Sequence, residues 1–246
     1  MSEDKWEKFY KEKVEYGIWI GSPMIQRLID EIRARAKPGD KLLEIGTGTG
    51  YTAIELSKMG YDVYGIDLSS DLVEQAEEAS KNYGGAVAFS QGDMFDLPDE
   101  IAKKKFKIIY HQGVFEHFSN EEIARALKLQ IPLCEFVIFS VPSFRYARRD
   151  FGNERLLNLG QWRNIVSGFN IMGATYYGES DNYILIILRG GLCKKPPPEP
   201  EFPKDDVFIE GKDKPEEGGL YGGDAKKESG KAKRRTGSVS SDSKDD

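Results

Sequence analysis

The stretch Leu42-Leu-Glu-Ile-Gly-Thr-Gly-Thr-Gly50 constrains this chain more than any other. A short apolar run enters glycines at alternate positions, and a helical pattern from Tyr51 to Met59, closed by Gly60, follows at once. Glycine lets the backbone turn sharply and lets a ligand approach it closely. The start of the helix beyond leaves N–H groups without intrahelical partners. The same residues also fit a tight strand-to-helix turn with no ligand at all.

Around this loop, strands and helices alternate. Ser22-Pro23 is a helix start, since Ser accepts from orphan N–H groups and Pro suits a first turn. Met24, Ile25, Leu28, Ile29 and Ile32 then recur at helical spacing until Lys37-Pro-Gly-Asp40. Strands are predicted at 41–45, 62–66, 87–90, 107–111 and 136–140. Helices are predicted at 4–15, from Ser69 or Ser70 to about 82, from 119 to about 131, and at 161–167. Ser119-Asn-Glu-Glu122 has the spacing of a capping box. This alternation argues for an α/β fold with a parallel sheet covered on both faces. The last two strands, 170–177 and 183–189, are joined by Gly-Glu-Ser-Asp-Asn, too short for a crossover helix, so they pair antiparallel.

Composition sets the outer limits. After Cys193 the character changes: residues 194–246 hold six of the eleven prolines, few apolar residues and no periodicity. Such a segment cannot repay its ordering entropy, so 194–246 is expected to be a disordered polar tail. Residues 1–193 are expected to form one domain, with a helical lid over about 1–37. The formal charge of −6 disfavours nucleic acid as a partner. No stretch approaches the ~18 apolar residues of a membrane span, and the charged N-terminus lacks a signal-peptide core. Two cysteines and two histidines are too few for a disulfide framework or a dedicated metal cage. The chain therefore reads as cytoplasmic and free of metal.

Two further carboxylates extend the pattern. Asp67 ends the second strand about 20 residues past the glycines, where a carboxylate can accept from both hydroxyls of a ribose. It can equally cap the helix near Ser69. Asp93 follows the third strand in Gln91-Gly-Asp-Met94, where it can accept from an exocyclic amine of adenine or simply close a turn. Leu68 and Met94 are placed to sandwich such a ring. Gly48-x-Gly50-x-x-Ala53 formally fits a nicotinamide fingerprint. That frame leaves Gly46, Glu44 and Asp93 without a role.

Taken together, Glu44-x-Gly46-x-Gly48-x-Gly50, Asp67, Gly92-Asp93 and Gln112-Gly-Val-Phe-Glu-His117 resemble the class I S-adenosylmethionine-dependent methyltransferases, in their small-molecule branch. Lys107 departs from the Asp often found there. The resemblance covers roughly 5–190. It implies a three-layer Rossmann-like methyltransferase fold with a seven-stranded sheet in the order 3-2-1-4-5-7-6 and an antiparallel last strand. It also implies S-adenosylmethionine as cofactor and S-adenosylhomocysteine as product. The cofactor-binding residues it implies are Tyr16, Glu44, Gly46, Thr47, Gly48, Gly50, Asp67, Leu68, Asp93, Met94 and Gln112, and the acceptor is a small molecule. Tyr10, Tyr16 and Trp19 are lid candidates over a sulfonium, or else one packed helix face.

A second local resemblance is Phe151-Gly-Asn-Glu-Arg-Leu156, followed by Trp162; many small-molecule methyltransferases carry a similar segment near the substrate opening. Tyr146, Arg148, Arg149, Glu154 and Arg155 are thus candidates to shape the acceptor site, with the arginines suited to an anionic acceptor. An Arg–Glu surface network is the alternative. Methyl transfer needs orientation and exclusion of water, and a base only for a protonated acceptor. Of the two histidines, His111 ends a strand and is the candidate base, or lines the cofactor instead. His117 is expected to partner a backbone group.

Overall fold

The structure, a computed structural model, describes residues 15–147 and 153–192. The expected first helix, Arg148, Arg149, Tyr10 and the polar tail lie outside the described residues.

Two helices open the described chain, α1 (Tyr16–Gly21) and α2 (Pro23–Arg33). The Ser22 hydroxyl accepts from the Ile25 N–H and Pro23 stands first in α2, as the sequence requires. Then follow β1 (Lys41–Ile45), α3 (Tyr51–Lys58), β2 (Asp62–Asp67), α4 (Ser70–Tyr83) and β3 (Val87–Gln91). The second half comprises α5 (Asp99–Ala102), β4 (Phe106–Gln112), α6 (Asn120–Gln130), β5 (Cys134–Pro142), α7 (Leu159–Ile165), β6 (Phe169–Tyr177) and β7 (Tyr183–Leu192). The seven strands form one sheet in the order β3-β2-β1-β4-β5-β7-β6. All neighbours are parallel except β7, which runs antiparallel to both β5 and β6.

The expected order and hairpin are those observed; several boundaries differ. Strand β4 is longer at both ends than expected. Strand β5 also extends at both ends, because Pro142 still occupies a ladder position opposite Tyr183. The helix expected from Gln161 begins at Leu159, because Asn158 caps it and Gln161 returns the bond to the Asn158 N–H. The one-turn α5 went unforeseen, since four residues carry too little periodicity to stand out.

Alternation along the strands sorts side chains onto two faces. Leu42, Ile108, Tyr110, Ile138, Leu185 and Ile187 face α2 and α3. Leu43, Ile45, Ile109, Val137, Phe139 and Ile186 face the side of Ile123 and Leu127 on α6 and Trp162 on α7. Lys107 sits at the opposite strand ends from the glycine loop and pairs with Glu135 at 2.5 Å, a local surface contact.

The capping box of α6 is complete: the Ser119 hydroxyl accepts from the Glu122 N–H at 3.2 Å, and the Glu122 carboxylate accepts from the Ser119 N–H at 2.8 Å. Replacing Ser119 by Ala removes one half of that exchange. We expect stability to fall by ~1 kcal/mol in denaturant titration, with an unchanged m-value.

Candidate functional site

The strand order reverses between the parallel neighbours β1 and β4, whose connections leave to opposite sides. In open α/β sheets ligands bind beyond the C-terminal strand ends at such a point. The glycine loop lies there. Gly46 (φ +71°) and Gly50 (φ +73°) hold left-handed backbone. A Cβ on Gly46 would lie 2.6 Å from Val114 Cγ2, and one on Gly50 would lie 2.5 Å from Phe89 Cζ. Both positions thus demand glycine twice over, by backbone angle and by space.

The loop is held from below. The Gly46 and Thr47 N–H groups both donate to the Ile66 carbonyl, at 2.9 and 3.0 Å. The Thr47 hydroxyl donates to Glu44 at 2.9 Å. Glu44 is 4% exposed, and burial pushes its carboxyl up to about 8. The Tyr110 phenol neighbours the same carboxyl and is itself shifted upward by burial. Glu44 and Thr47 were expected to touch a cofactor. Both side chains instead point into the fold and shape the loop without lining it.

Asp67 and Asp93 stand at the ends of β2 and β3. Asp67 accepts from the Gly48 N–H at 2.8 Å through one oxygen and from the Ser69 N–H at 3.1 Å through the other. The Leu68 N–H also acts on it, and a carboxylate has about four acceptor positions, so it is not fully spent. Ser69 is the true cap of α4, accepting from Leu72. Asp93 accepts from the Phe95 N–H at 2.8 Å, the closed turn foreseen as its bland role, and keeps its second oxygen. Leu68 is 56% exposed beside Asp67, whereas Met94 is 6% exposed and packs into the core. Met94 therefore drops out as one half of a sandwich.

At the end of β4 stands Gln112. Both polar atoms of its amide are buried and have no hydrogen-bond partner among the described residues, as is also true of the Tyr110 hydroxyl and His111 Nδ1. Buried polar groups are almost always paired, so an orphaned amide at the C-terminal strand ends marks a place for a ligand or a water. His111, the residue before, is fully buried on the opposite face. Its Nε2 lies 2.7 Å from Gln130 Oε1 and its ring stacks on Phe115 at 4.4 Å. Burial lowers its pKa to about 4. An imidazole sealed between β4 and α6 cannot take a proton from an incoming acceptor, so His111 is not the base.

Tyr16 is also displaced from its expected place. Its ring stacks on Tyr83 at 4.1 Å and meets Tyr51 edge-on at 5.1 Å, and its hydroxyl donates to Glu55 at 2.6 Å. It clamps α1 against α3 and α4 and does not cover the glycine loop. Trp19 packs against the α2–α3 side of the core, the helix-face alternative.

Among the acceptor candidates, Arg155 donates to the Phe118 carbonyl at 2.5 Å and to Asn120 at 2.6 Å. Its guanidinium holds the turn into α6 and is committed to that task. Glu154 is 5% exposed and close enough to Glu116 to help raise the latter's carboxyl to about 8, chiefly an effect of burial. His117 Nδ1 lies 3.1 Å from Asn153 Oδ1, a side-chain partner where a backbone one was expected. Tyr146 rests 5.5 Å from the ring of Tyr183. Sequence reading missed Ser140, Tyr177 and Tyr183. Glu116 stood in the Glu-His pair and Asn153 in the Gly-Asn-Glu-Arg segment, but neither was named as a candidate.

These features define a nucleotide-type binding edge on a seven-stranded methyltransferase fold. Residues 42–130 match the model of a methyltransferase domain family. A protein-L-isoaspartate O-methyltransferase of Protochlamydia amoebophila is 36% identical over 155 residues, 60% of this chain and 70% of that protein. One from Gloeobacter violaceus is 42% identical over 75 residues, 30% of this chain and 36% of its own length. A magnesium protoporphyrin IX methyltransferase from Synechocystis, solved with S-adenosylhomocysteine, superposes with a TM-score of 0.59 at 18% identity, over 76% of this chain and 94% of that one. The chain spans only about two-fifths or less of the first curated relatives it matches. It belongs to the class I S-adenosylmethionine-dependent methyltransferases.

The buried Glu44 makes a pH signature. An ordinary glutamate titrates near 4.5, and in the folded chain Glu44 titrates near 8. The folded state therefore retains a proton that the unfolded state releases between those values. That contribution is whole below pH 4.5 and is lost as pH rises through 8. We expect the melting temperature to fall from pH 5 to pH 8, and Glu44→Gln to make the fall shallower in scanning calorimetry. Glu116, also near 8, adds to the same slope, so Glu44→Gln with Glu116→Gln is flatter still.

Proposed function

We propose that this protein is an S-adenosylmethionine-dependent methyltransferase acting on a small-molecule acceptor. The observation that carries the reading is the orphaned Gln112 amide beside the glycine loop, on the face shared with Glu44. The residues present fit the cofactor. Asp67 would hold the ribose hydroxyls with the acceptor capacity its backbone donors leave. Asp93 would accept from the adenine amine, with Leu68 against the ring. Gln112 would meet the polar end of the methionine portion. Gly46, Gly48 and Gly50 keep side chains out of the way.

When bound, the cofactor supplies a methyl group on a sulfonium: the acceptor's lone pair forms the new bond to carbon as the carbon–sulfur bond breaks, its electrons passing to sulfur. The chain's own part is to orient the acceptor and exclude water. Neither His111 nor Arg155 takes part, for the reasons above. The acidic sequence and the absence of an Asn-Pro-Pro-Tyr-type segment after β4 support a small molecule over RNA or protein. The relatives named for a protein substrate keep the other acceptor class in the test.

Calorimetry should show binding of S-adenosylhomocysteine and none of NAD. Asp67→Asn retains one acceptor oxygen and perturbs the loop less than alanine. We expect it to weaken S-adenosylhomocysteine by ~1.5–3 kcal/mol while the melting temperature changes little. Unchanged affinity would remove Asp67 from the ribose. Incubating the protein with methyl-labelled cofactor and cell extract then reports the acceptor: label in the low-molecular-weight fraction supports the reading, and label in protein or RNA overturns its finer half.

A further inference from the structure

The turn that follows β4 holds a second polar side chain with an unsatisfied atom. Glu116 stands beyond Gln112 on the short 3₁₀ turn Phe115–His117. Only 3% of it is exposed, and its Oε2 is buried without a hydrogen-bond partner. A buried carboxyl oxygen in that state lacks a donor that a ligand or a water would supply. The turn is seated on the glycine loop, since Val114 fills the space beside Gly46. The other oxygen, Oε1, lies back toward Gly113, where an added Cβ would be 3.5 Å from it. The carboxyl is thus held close to the end of β4.

On its other side the turn meets the segment that sequence assigned to the acceptor. The Glu116 carbonyl accepts from the Arg155 N–H at 2.8 Å, and His117 Nδ1 lies 3.1 Å from Asn153 Oδ1. Glu116 therefore stands between Gln112, on the cofactor's side, and residues 153–155. His111 faces Gln130 on α6 instead. Two titratable groups surround the carboxyl: Glu154, whose charge disfavours its ionisation, and His117, whose Nε2 is 3.9 Å from Oε1. Arg155 sends its guanidinium away, to Phe118 and Asn120. Arg148 and Arg149 lie outside the described residues and are assigned no part. Burial is the main influence and holds the carboxyl at about 8, so it exchanges a proton near neutral pH.

We propose that Glu116 is the general base of this methyltransferase, its Oε2 receiving the proton of an acceptor whose nucleophile is a hydroxyl. This deepens the methyltransferase reading and rests on it. The acceptor's O–H proton passes to Oε2 and the electron pair stays on oxygen. That oxygen forms the bond to the methyl carbon as the carbon–sulfur bond breaks, its electrons passing to sulfur. The role that sequence gave to His111 thereby falls to the carboxyl five residues on, which adjoins the acceptor segment where His111 does not.

The test needs no acceptor. It titrates sinefungin and S-adenosylhomocysteine into the full chain by calorimetry, in buffers of different ionisation enthalpy. Sinefungin carries CH–NH3+ where the cofactor carries S–CH3+, so its ammonium stands in place of the transferable methyl. S-adenosylhomocysteine has no group there. An ammonium favours the ionised form of a carboxyl beside it, so sinefungin should drive the proton off Glu116. An interaction worth about tenfold in affinity lowers the bound carboxyl by about one pH unit from its value of about 8. We then expect sinefungin to release about half a proton more than S-adenosylhomocysteine at pH 7.5. The ratio of their affinities should rise about fivefold from pH 6 to pH 8. Glu116→Gln, equal in size and without a titrating group, should abolish both the extra release and the rise. Equal release by the two ligands from the unaltered protein overturns the proposal, whether or not the variant folds. So does an extra release that persists in Glu116→Gln. If S-adenosylhomocysteine binds and sinefungin behaves alike, the methyltransferase reading stands without Glu116 as base. If neither ligand binds, the methyltransferase reading fails and the base assignment falls with it.

Discussion

The neutral, buried carboxyl of Glu44 is the constraint on which the glycine loop depends. A carboxylate in that position would be charged and almost fully desolvated, which costs several kcal/mol without a cation beside it. No ion pair to Glu44 is found among the described residues, and its pKa near 8 keeps the proton on instead. The protonated group gives the loop a fixed acceptor for the Thr47 hydroxyl three residues on. With Thr47 turned inward, the backbone of Gly46 and Gly48 is what remains facing the strand ends. A buried side chain thus sets which backbone groups face the strand ends. The same arrangement explains why the loop needs glycine where it does: Val114 and Phe89 already occupy the space a Cβ would need.

Asp67 is the second support of the loop. One oxygen is held by the Gly48 N–H and the other by the Ser69 N–H, so its rotamer is set before anything binds. Burial raises its pKa while these backbone donors oppose the shift. The result is a preoriented acceptor with positions left over, which lowers the ordering cost of binding. Gln112 presents the complementary case. Its amide is placed by the end of β4 but is satisfied by nothing among the described residues. One group is fixed by its partners and the other is defined by lacking them, and both stand at the strand ends flanking the same loop.

The strand order and the hairpin at the end were legible in the sequence because they follow from local rules. Connection lengths separate parallel from antiparallel pairs, and the glycine spacing marks the first crossover. Local demands were legible where backbone position alone settles them, as for the left-handed Gly46. Glu44, Thr47, His111 and Tyr16 sit beside the site in sequence, but their side chains are drawn elsewhere: Glu44 and Thr47 by their mutual hydrogen bond, His111 by strand alternation and Tyr16 by helix docking. His111 and Gln112 are adjacent residues on opposite faces, and nothing local says which faces a ligand. Tyr177, Tyr183 and Ser140 were missed because they meet only through the β5–β7–β6 register, across 37 residues in the case of Ser140 and Tyr177.

The placement of the arginines bears on how such a site can discriminate among acceptors. In sequence, a loop with three arginines reads as an anion clamp. In the fold, Arg155 is spent on the Phe118 carbonyl and Asn120, and Arg145 on Asp181. A guanidinium with fixed backbone and carboxylate partners is a scaffold element, since freeing it would expose a buried carbonyl or break an ion pair. Of the three arginines that suggested the clamp, this accounts for Arg155; Arg148 and Arg149 lie outside the described residues. Reactivity in any case would follow how closely the chain aims the acceptor's lone pair along the line of the breaking carbon–sulfur bond.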